Sequence, residues 1–409
     1  MSSFQEDTNQ AIERVARESY GRLVAYLSSH TRDLASAEDA LSEALVAALR
    51  TWPRDGVPQK PEAWLLTTAR HSLINIARHQ QVASASEPTL LLLSENSQEA
   101  TSSAEFPDER LKLLFVCAHP EIDPATHTPL MLQTVLGLNA ARIAQAFLVS
   151  PATMGQRLVR AKAKILEGGI PFEIPQEGEL PQRLEAVLEA IYAAFGIGWD
   201  DMPGVDQRGR DLAEEAIWLA RVLLQLMREE PEAHGLLALM LHCEARRAAR
   251  RGPEGHYVPL SAQDPRLWSL PLIADAEQHL ARASQHSRTG RFQLEAAIQS
   301  VHAERARSGR TEWPAIVLFY KQLIRVSPTP GTRTGYAAAV AEASDAHAGL
   351  AALEAIEPKT VSAYQPYWAV RAHLLQRLGK TEAALAAFDR AITLSEDPAV
   401  RQFLRQKRG

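Results

Sequence analysis

Apolar residues along this chain recur three and four positions apart, the spacing of amphipathic helices rather than strands. From Thr8 to Ser29, Ile12, Val15, Tyr20, Leu23, Val24 and Leu27 mark one side of a first helix. A second is predicted from Asp33 to Trp52, with Leu34, Leu41, Leu45 and Leu49 as its core stripe. Glu38, Asp39 and Glu43 form an acidic outer face on it. The stretch from Pro53 to Pro58 breaks the pattern. A third helix, Lys60 to His79, turns Trp64, Leu65, Ala69, Leu73, Ile76 and Ala77 inward and carries Arg70, His71, Asn75 and Arg78 as polar and basic positions. Residues 81–107 are rich in Ser, Ala, Glu and Gln and contain no Lys or Arg. Such a composition cannot build a core, so a disordered linker is expected.

Leu138 to Leu166 has the sharpest local pattern. Asn139 is placed to cap a short helix in which Ile143 and Phe147 lie four apart. Leu148 and Val149 make a turn. Ser150 then caps a second helix whose first residue is Pro151, where a missing N–H costs nothing. Met154, Leu158, Ala161 and Ile165 fall on one face and point to a core. Thr153, Gln156, Arg157, Arg160 and Lys164 fall together on the other face. A hydroxyl and an amide early in the helix suit base edges, and cations further on suit phosphates, as in a major-groove helix. An ordinary helical hairpin with a solvated basic face would show the same periodicity.

Gly168 to Pro175 is a boundary of Gly and Pro residues, and beyond it paired amphipathic helices continue to the last residue. The final pair, Tyr367 to Leu378 and Thr381 to Leu394, has tetratricopeptide-like spacing, with Gly379 at the turn and Ala384, Phe388 and Ala391 on the packing face. The expected fold class is all-α. The expected domains are 8–80, 108–170 and 180–409, with 81–107 as the linker.

Composition adds limits. The chain has 409 residues, a formal net charge of −5 and 46 % hydrophobic residues, enough for several packed cores. It is no polycation, so any nucleic-acid surface must be a local patch. Cys117 and Cys243 stand at no metal or redox spacing, and reduced thiols fit a cytoplasmic compartment. Cys117 and His119 offer two ligand types without further partners, short of a metal site. No apolar leader precedes the first helix and no run approaches the ~20 apolar residues of a membrane span. No phosphate-binding loop, zinc-hydrolase motif or nucleophile elbow is present, so neither an enzyme nor a cofactor is expected.

The order of residues carries more than the periodicity. Ser150, Thr153, Met154, Arg157, Leu158, Arg160, Ala161 and Lys162, after Leu138, Ile143 and Ala144, resemble the "−35" helix-turn-helix of bacterial sigma factors. Pro61, Ala63, Trp64, Leu65, Ala69, Arg70, Ile74 and Arg78 are similar to the "−10" helix of sigma region 2. The stretch from Ala37 to Leu49 looks like the helix that docks on the β′ clamp. FPDERLKLLF, the Cys117–Pro120 segment, EPEAHGLLALMLHCEARRAAR and RLGKTEAALAAFDRA resemble the extracytoplasmic-function subgroup with a large C-terminal helical-repeat extension. The chain departs from these patterns at Asn75, where Asp is usual, at His79 to Gln81, where Arg is usual, and at Arg142, where Glu is usual.

This resemblance implies an alternative sigma factor. Its partners would be core RNA polymerase, through the β′ clamp helices and the β flap, and promoter DNA. Thr153, Gln156, Arg157, Arg160 and Lys164 would meet the −35 element. Trp64, Arg70, His71, Asn75 and Arg78 would meet the −10 element. Glu38, Asp39 and Glu43 would meet polymerase, and the repeats would act in cis to set activity or bind a protein partner. A second reading keeps the scaffold but not the promoter function: fewer cations in the −10-like helix would leave a protein that acts through its repeats.

Overall fold

The computed structural model describes residues 2–81, 108–147, 149–199 and 208–409. These residues form helices and no strand; a single isolated bridge pairs Arg251 with Tyr257. They divide into two compact units, 1–197 and 198–409. The division falls inside one helix rather than at the Gly168–Pro175 stretch.

In the first unit, α1 (Ser2–Thr31), α2 (Leu34–Asp55) and α3 (Pro61–Gln81) pack on one another. Asp33 caps α2 by accepting from Ser36 N at 3.1 Å. The helix runs one turn past the expected break, through Pro53, because a proline this late removes one hydrogen bond without stopping the turn that follows. Its buried stripe is Leu34, Ala37, Ala40, Leu41, Ala44, Ala48 and Trp52. The expected stripe is therefore corrected at Leu49, which is 50 % exposed. Alanines let α2 lie close to its neighbours, and the larger Leu49 falls outside that close-packed line. In α3 the buried residues are Leu65, Leu66, Ala69, Arg70 and Leu73, while the side chains of Ile76, Ala77 and Arg78 lie outside the described ones. The expected linker also lies outside the described residues beyond Gln81.

Four further helices follow: α4 (Arg110–Cys117), α5 (Pro124–Thr134), α6 (Ala140–Ala146) and α7 (Pro151–Glu167). α6 and α7 pack as a pair, α7 rests on α5, and α1 packs against α4. Cys117 is buried against the Thr134 hydroxyl at 3.6 Å, and burial pushes its thiol up to about 12. His119 Nδ1 accepts from Glu121 N at 3.2 Å. Both are committed to local structure, and no group of three or more His, Cys, Asp or Glu residues among the described ones could hold a metal ion. α8 (Leu180–Trp199) closes the unit.

The second unit is built of helical hairpins. α9 (Arg208–Leu226), α10 (Pro231–Ala245), α11 (Leu270–Ala283) and α12 (Arg291–Ala303) lead into α13 (Trp313–Val326), α14 (Pro330–Ala343), α15 (Ala346–Glu354), α16 (Gln365–Arg377), α17 (Thr381–Leu394) and α18 (Pro398–Arg408). The Glu232 carboxylate of α10 accepts from Phe292 N at 2.9 Å and Gln293 N at 3.2 Å, so one hairpin caps the next. Gly379 turns α16 into α17 with φ of +70°, which side chains disfavour. Ala384, Phe388 and Ala391 are buried in the core with Leu350, Leu353 and Leu375. The Trp199 ring is stacked by the guanidiniums of Arg250 at 4.1 Å and Arg247 at 5.0 Å.

Candidate functional site

The α6–α7 pair has its two caps in place. Asn139 Oδ1 accepts from Arg142 N at 2.9 Å, and Ser150 Oγ accepts from Thr153 N at 3.1 Å. Those caps set the rotation of α7. Met154, Leu158, Ala161 and Ile165 are buried, which leaves Thr153, Gln156, Arg157, Arg160 and Lys164 exposed in one strip. The Lys164 ammonium lies 3.3 Å from the Glu121 carboxylate, both about half exposed, so part of its charge is already answered. Val159 flanks the strip at 67 % exposure, an apolar contact that the periodicity did not single out.

The α3 set divides. His71 and Asn75 are exposed. Trp64 is half-buried, edge-on to Trp52 at 5.4 Å between ring centroids. Arg70, expected at the −10 element, is held inside the unit in this arrangement. It is 9 % exposed, donates to the Tyr26 hydroxyl at 2.6 Å, and lies over the Tyr26 ring. A guanidinium that is hydrogen-bonded and stacked inside the unit presents no charge to a phosphate. The side chain of Arg78 falls outside the described residues.

The α2 set divides too. Asp39 and Glu43 are exposed, and Glu43 accepts from the Ser72 hydroxyl. Glu38 is turned inward. Its Oε2 accepts from Lys162 Nζ of α7 at 2.5 Å, with 14 % of the Glu38 side chain and 12 % of the Lys162 side chain exposed. Burial raises the Glu38 pKa, Lys162 lowers it, and Asp39 raises it again, for a net upward shift. Beside Asp39 and Glu43 the outer face is apolar: Val46 is 46 % and Leu49 50 % exposed, along a shallow groove shared with Ser42, Arg50 and Arg54. Sequence reasoning missed this patch. The signal was there, since Ala37, Ala44 and Ala48 already supply an unbroken inward stripe.

Residues 15–82, which span this bundle, match the family Sigma-70 region 2. Residues 183–284 match a family of unknown function, DUF6596. An uncharacterized protein of Rhizobium meliloti (strain 1021) is 39 % identical over 392 residues, covering 95 % of this chain and 92 % of that protein. The chain belongs to the same family as that protein, with a sigma-70 region 2 at its N-terminal end. No solved structure matches the chain. Region 2 therefore supplies the surfaces of α2 and α3, and it is a module of transcription initiation. Among the described residues no helix is long and apolar enough to cross a membrane.

Proposed function

We propose that this chain is an alternative sigma factor of the extracytoplasmic-function type. It binds core RNA polymerase and directs promoter-specific initiation. Residues 8–80 act as region 2 and residues 108–170 as region 4. Residues 180–409 act as a tetratricopeptide-like extension that sets activity in cis or receives a protein partner. The observation that carries this reading is the conjunction of a region 2 match with a capped two-helix motif in the same unit, whose second helix exposes Thr153, Gln156, Arg157, Arg160 and Lys164 together. Hydroxyl, amide and cations in that order fit a base-reading helix anchored by phosphates.

In this reading α7 and the exposed part of α3 meet promoter DNA. The face of Asp39, Glu43, Val46 and Leu49 meets the β′ clamp, where an apolar centre flanked by charges suits a protein interface. The β flap and the α4–α7 group form the second polymerase contact.

One observation favours the second reading, a sigma scaffold with weakened promoter function. Arg70 is spent on Tyr26, so the −10-like helix offers even fewer cations than its sequence suggests. Run-off transcription with core polymerase and genomic fragments separates the two. Promoter-specific transcripts are expected. Stable binding to core without any specific transcript would replace the sigma reading with the scaffold reading.

A further inference from the structure

In the second unit, residues 246–269 leave the first hairpin between α10 and α11 and return to it. The base of this excursion is closed by Ser269 N, which donates to the Ala245 carbonyl at 2.9 Å. Its outgoing limb is tied down by Arg250, which donates to the Trp199 carbonyl at 2.8 Å. Its return limb is held by Arg305, just past α12, which donates to the carbonyls of Leu260 and Gln263 at 2.9 Å and of Ser261 at 3.1 Å. The tip is a tight turn that its own residues encode. Pro253 presets the backbone, Gly255 N donates to the Gly252 carbonyl at 2.8 Å, and Gly255 sits at φ +76°, where a side chain would be strained. Gly252 N donates to the His256 carbonyl at 3.0 Å and Val258 N to the Arg250 carbonyl at 2.9 Å, which makes Arg251 and Tyr257 a directly opposed antiparallel pair. Residues opposed in this way project from one side of the turn. The Arg251 guanidinium lies 6.0 Å from the centre of the Tyr257 ring.

Both side chains land on the last helix. Arg251 pairs with Asp397, 146 positions further on, and the Tyr257 ring stands edge-on to Phe403 at 5.4 Å between centroids. Asp397 Oδ2 takes the guanidinium while Oδ1 accepts from Ala399 N at 2.8 Å, so the cap of α18 does not depend on Arg251. Nor does α18 need the turn to be seated. It packs on α17, and Leu404 is buried in one core with Phe388 and Ala391. Stacked helical hairpins require only their neighbours, and a contact from the first hairpin to the last lies outside that requirement. The contact is also light. The Arg251 and Asp397 side chains remain 22 % and 26 % exposed, and pairs open to water in this way add little. Arg251 Nη1 is buried with no hydrogen-bond partner among the described residues, which counts against the seated position.

We infer that the Asp397–Phe403 side of α18 is a docking site for a tight protein turn that presents an arginine opposite an aromatic ring, and that residues 250–258 occupy it in cis as a strap. The partner that fits carries the same pair on a turn of its own and takes the strap's place. Recognition rests on a carboxylate for the cation and a ring for the aromatic edge. Two features suit exchange rather than a permanent tie. The turn is encoded locally, so the strap keeps its shape when it lifts. The Lys407 ammonium lies 5.8 Å from the centre of the Phe403 ring, so the ring stays engaged when Tyr257 leaves. The inference goes beyond the sigma reading and does not depend on it.

The test uses the full-length chain and, as probe, a cyclised fluorescein-labelled peptide with the sequence of residues 249–259. A control peptide carries Arg251→Ala and Tyr257→Ala. Fluorescence anisotropy compares the wild type, the double variant Arg251→Ala with Tyr257→Ala, and that variant with Phe403→Ala added. The probe should bind the double variant roughly tenfold or more tightly than the wild type, because the resident strap competes at an effective concentration of ~mM. The control peptide should bind none of the three proteins, and Phe403→Ala should remove binding of the probe. Hydrogen exchange should show protection lost at the Gly252 and Val258 amides of the double variant and kept through α17 and α18. Equal binding to wild type and double variant overturns the inference, as does no binding to a double variant whose α18 stays protected. Lost protection in α18 overturns it too, since the strap is then a support for that helix and not a ligand on it. If the double variant does not fold, Arg251→Gln replaces it, with a smaller gain expected and the same outcomes deciding. No measurement here involves polymerase or DNA, so failure leaves the sigma reading as it stands.

Discussion

The guanidinium of Arg70 donates to the Tyr26 hydroxyl at 2.6 Å and lies 5.2 Å from the centre of the same ring. A buried hydrogen bond to a charged donor and a cation–π contact act on the same two side chains, so the pair ties α3 to α1. Tyr26→Phe leaves the guanidinium without its acceptor and should cost about 1–3 kcal/mol of unfolding free energy. Arg70→Ala should cost at least as much. Neither should weaken DNA binding once the protein is folded. Denaturant unfolding alongside filter binding checks both halves, and a loss of DNA affinity at unchanged stability would return Arg70 to the DNA interface.

Arg160 on the exposed strip of α7 should behave in the opposite way. Arg160→Ala should leave unfolding within about 0.5 kcal/mol of wild type, as for an exposed position. It should lower affinity for a cognate promoter and reduce the slope of log affinity against log salt by about one if it holds a phosphate. Lys164→Ala should have a smaller effect, because Glu121 already answers part of its charge. Equal binding by wild type and Arg160→Ala across a salt series would remove the strip from the DNA interface.

The Glu38–Lys162 pair predicts an asymmetry. Removing Lys162 with Lys162→Ala strands a buried carboxylate and should cost about 1–3 kcal/mol, discounted from fully buried pairs because some exposure remains. Glu38→Gln keeps the shape, removes the charge and should be neutral or stabilising. The pH dependence follows from burial, the largest cause of the upward shift at Glu38, with Lys162 opposing it and Asp39 adding to it. A carboxyl whose folded pKa is raised gives stability that is complete below its ordinary value of 4.5 and lost as pH rises through the raised value. Glu38→Gln should flatten that limb in thermal melts taken from pH 4 upward. An unchanged profile would mean that Glu38 titrates normally and is not held inside.

In the second unit His279 and His302 should control the acid limb. Burial, with a smaller push from His234, lowers the His279 pKa from 6.5 to about 4. Its Nδ1 lies 2.8 Å from His234 Nδ1, so one of these two nitrogens donates and the other accepts. His302 falls to about 4 as well, through burial and then the charges of Arg246 and Arg305. A depressed histidine contributes stability that is complete above the ordinary value and lost as pH falls through the folded one. Stability should therefore drop between about pH 6.5 and 4. Replacing both with glutamine should shift that drop to lower pH, read as the melting temperature against pH. A wild-type drop confined below pH 4 would mean that neither histidine is the cause.

Periodicity and capping chemistry were enough to find most of the helices and to orient α7 completely. Ser150, Pro151 and the spacing of Met154, Leu158, Ala161 and Ile165 act within one or two turns, so their consequence can be read without knowing what lies opposite. The all-helical fold followed from the same local rules. Leu49, Arg70 and Glu38 could not be placed that way. Leu49 is a good core residue by type, yet α2 buries its alanines instead because its neighbours sit close. Arg70 has the charge of a phosphate ligand, yet Tyr26, 44 positions away in the chain, claims it. Glu38 belongs to an acidic face by spacing alone, yet Lys162, 124 positions away, turns it inward. A charged side chain is exposed until another part of the fold brings a partner to it, and long-range pairing carries no local signature. The sequence by itself determined the helices and which face each offers; only the tertiary structure decided which of the charged residues remain available to a partner.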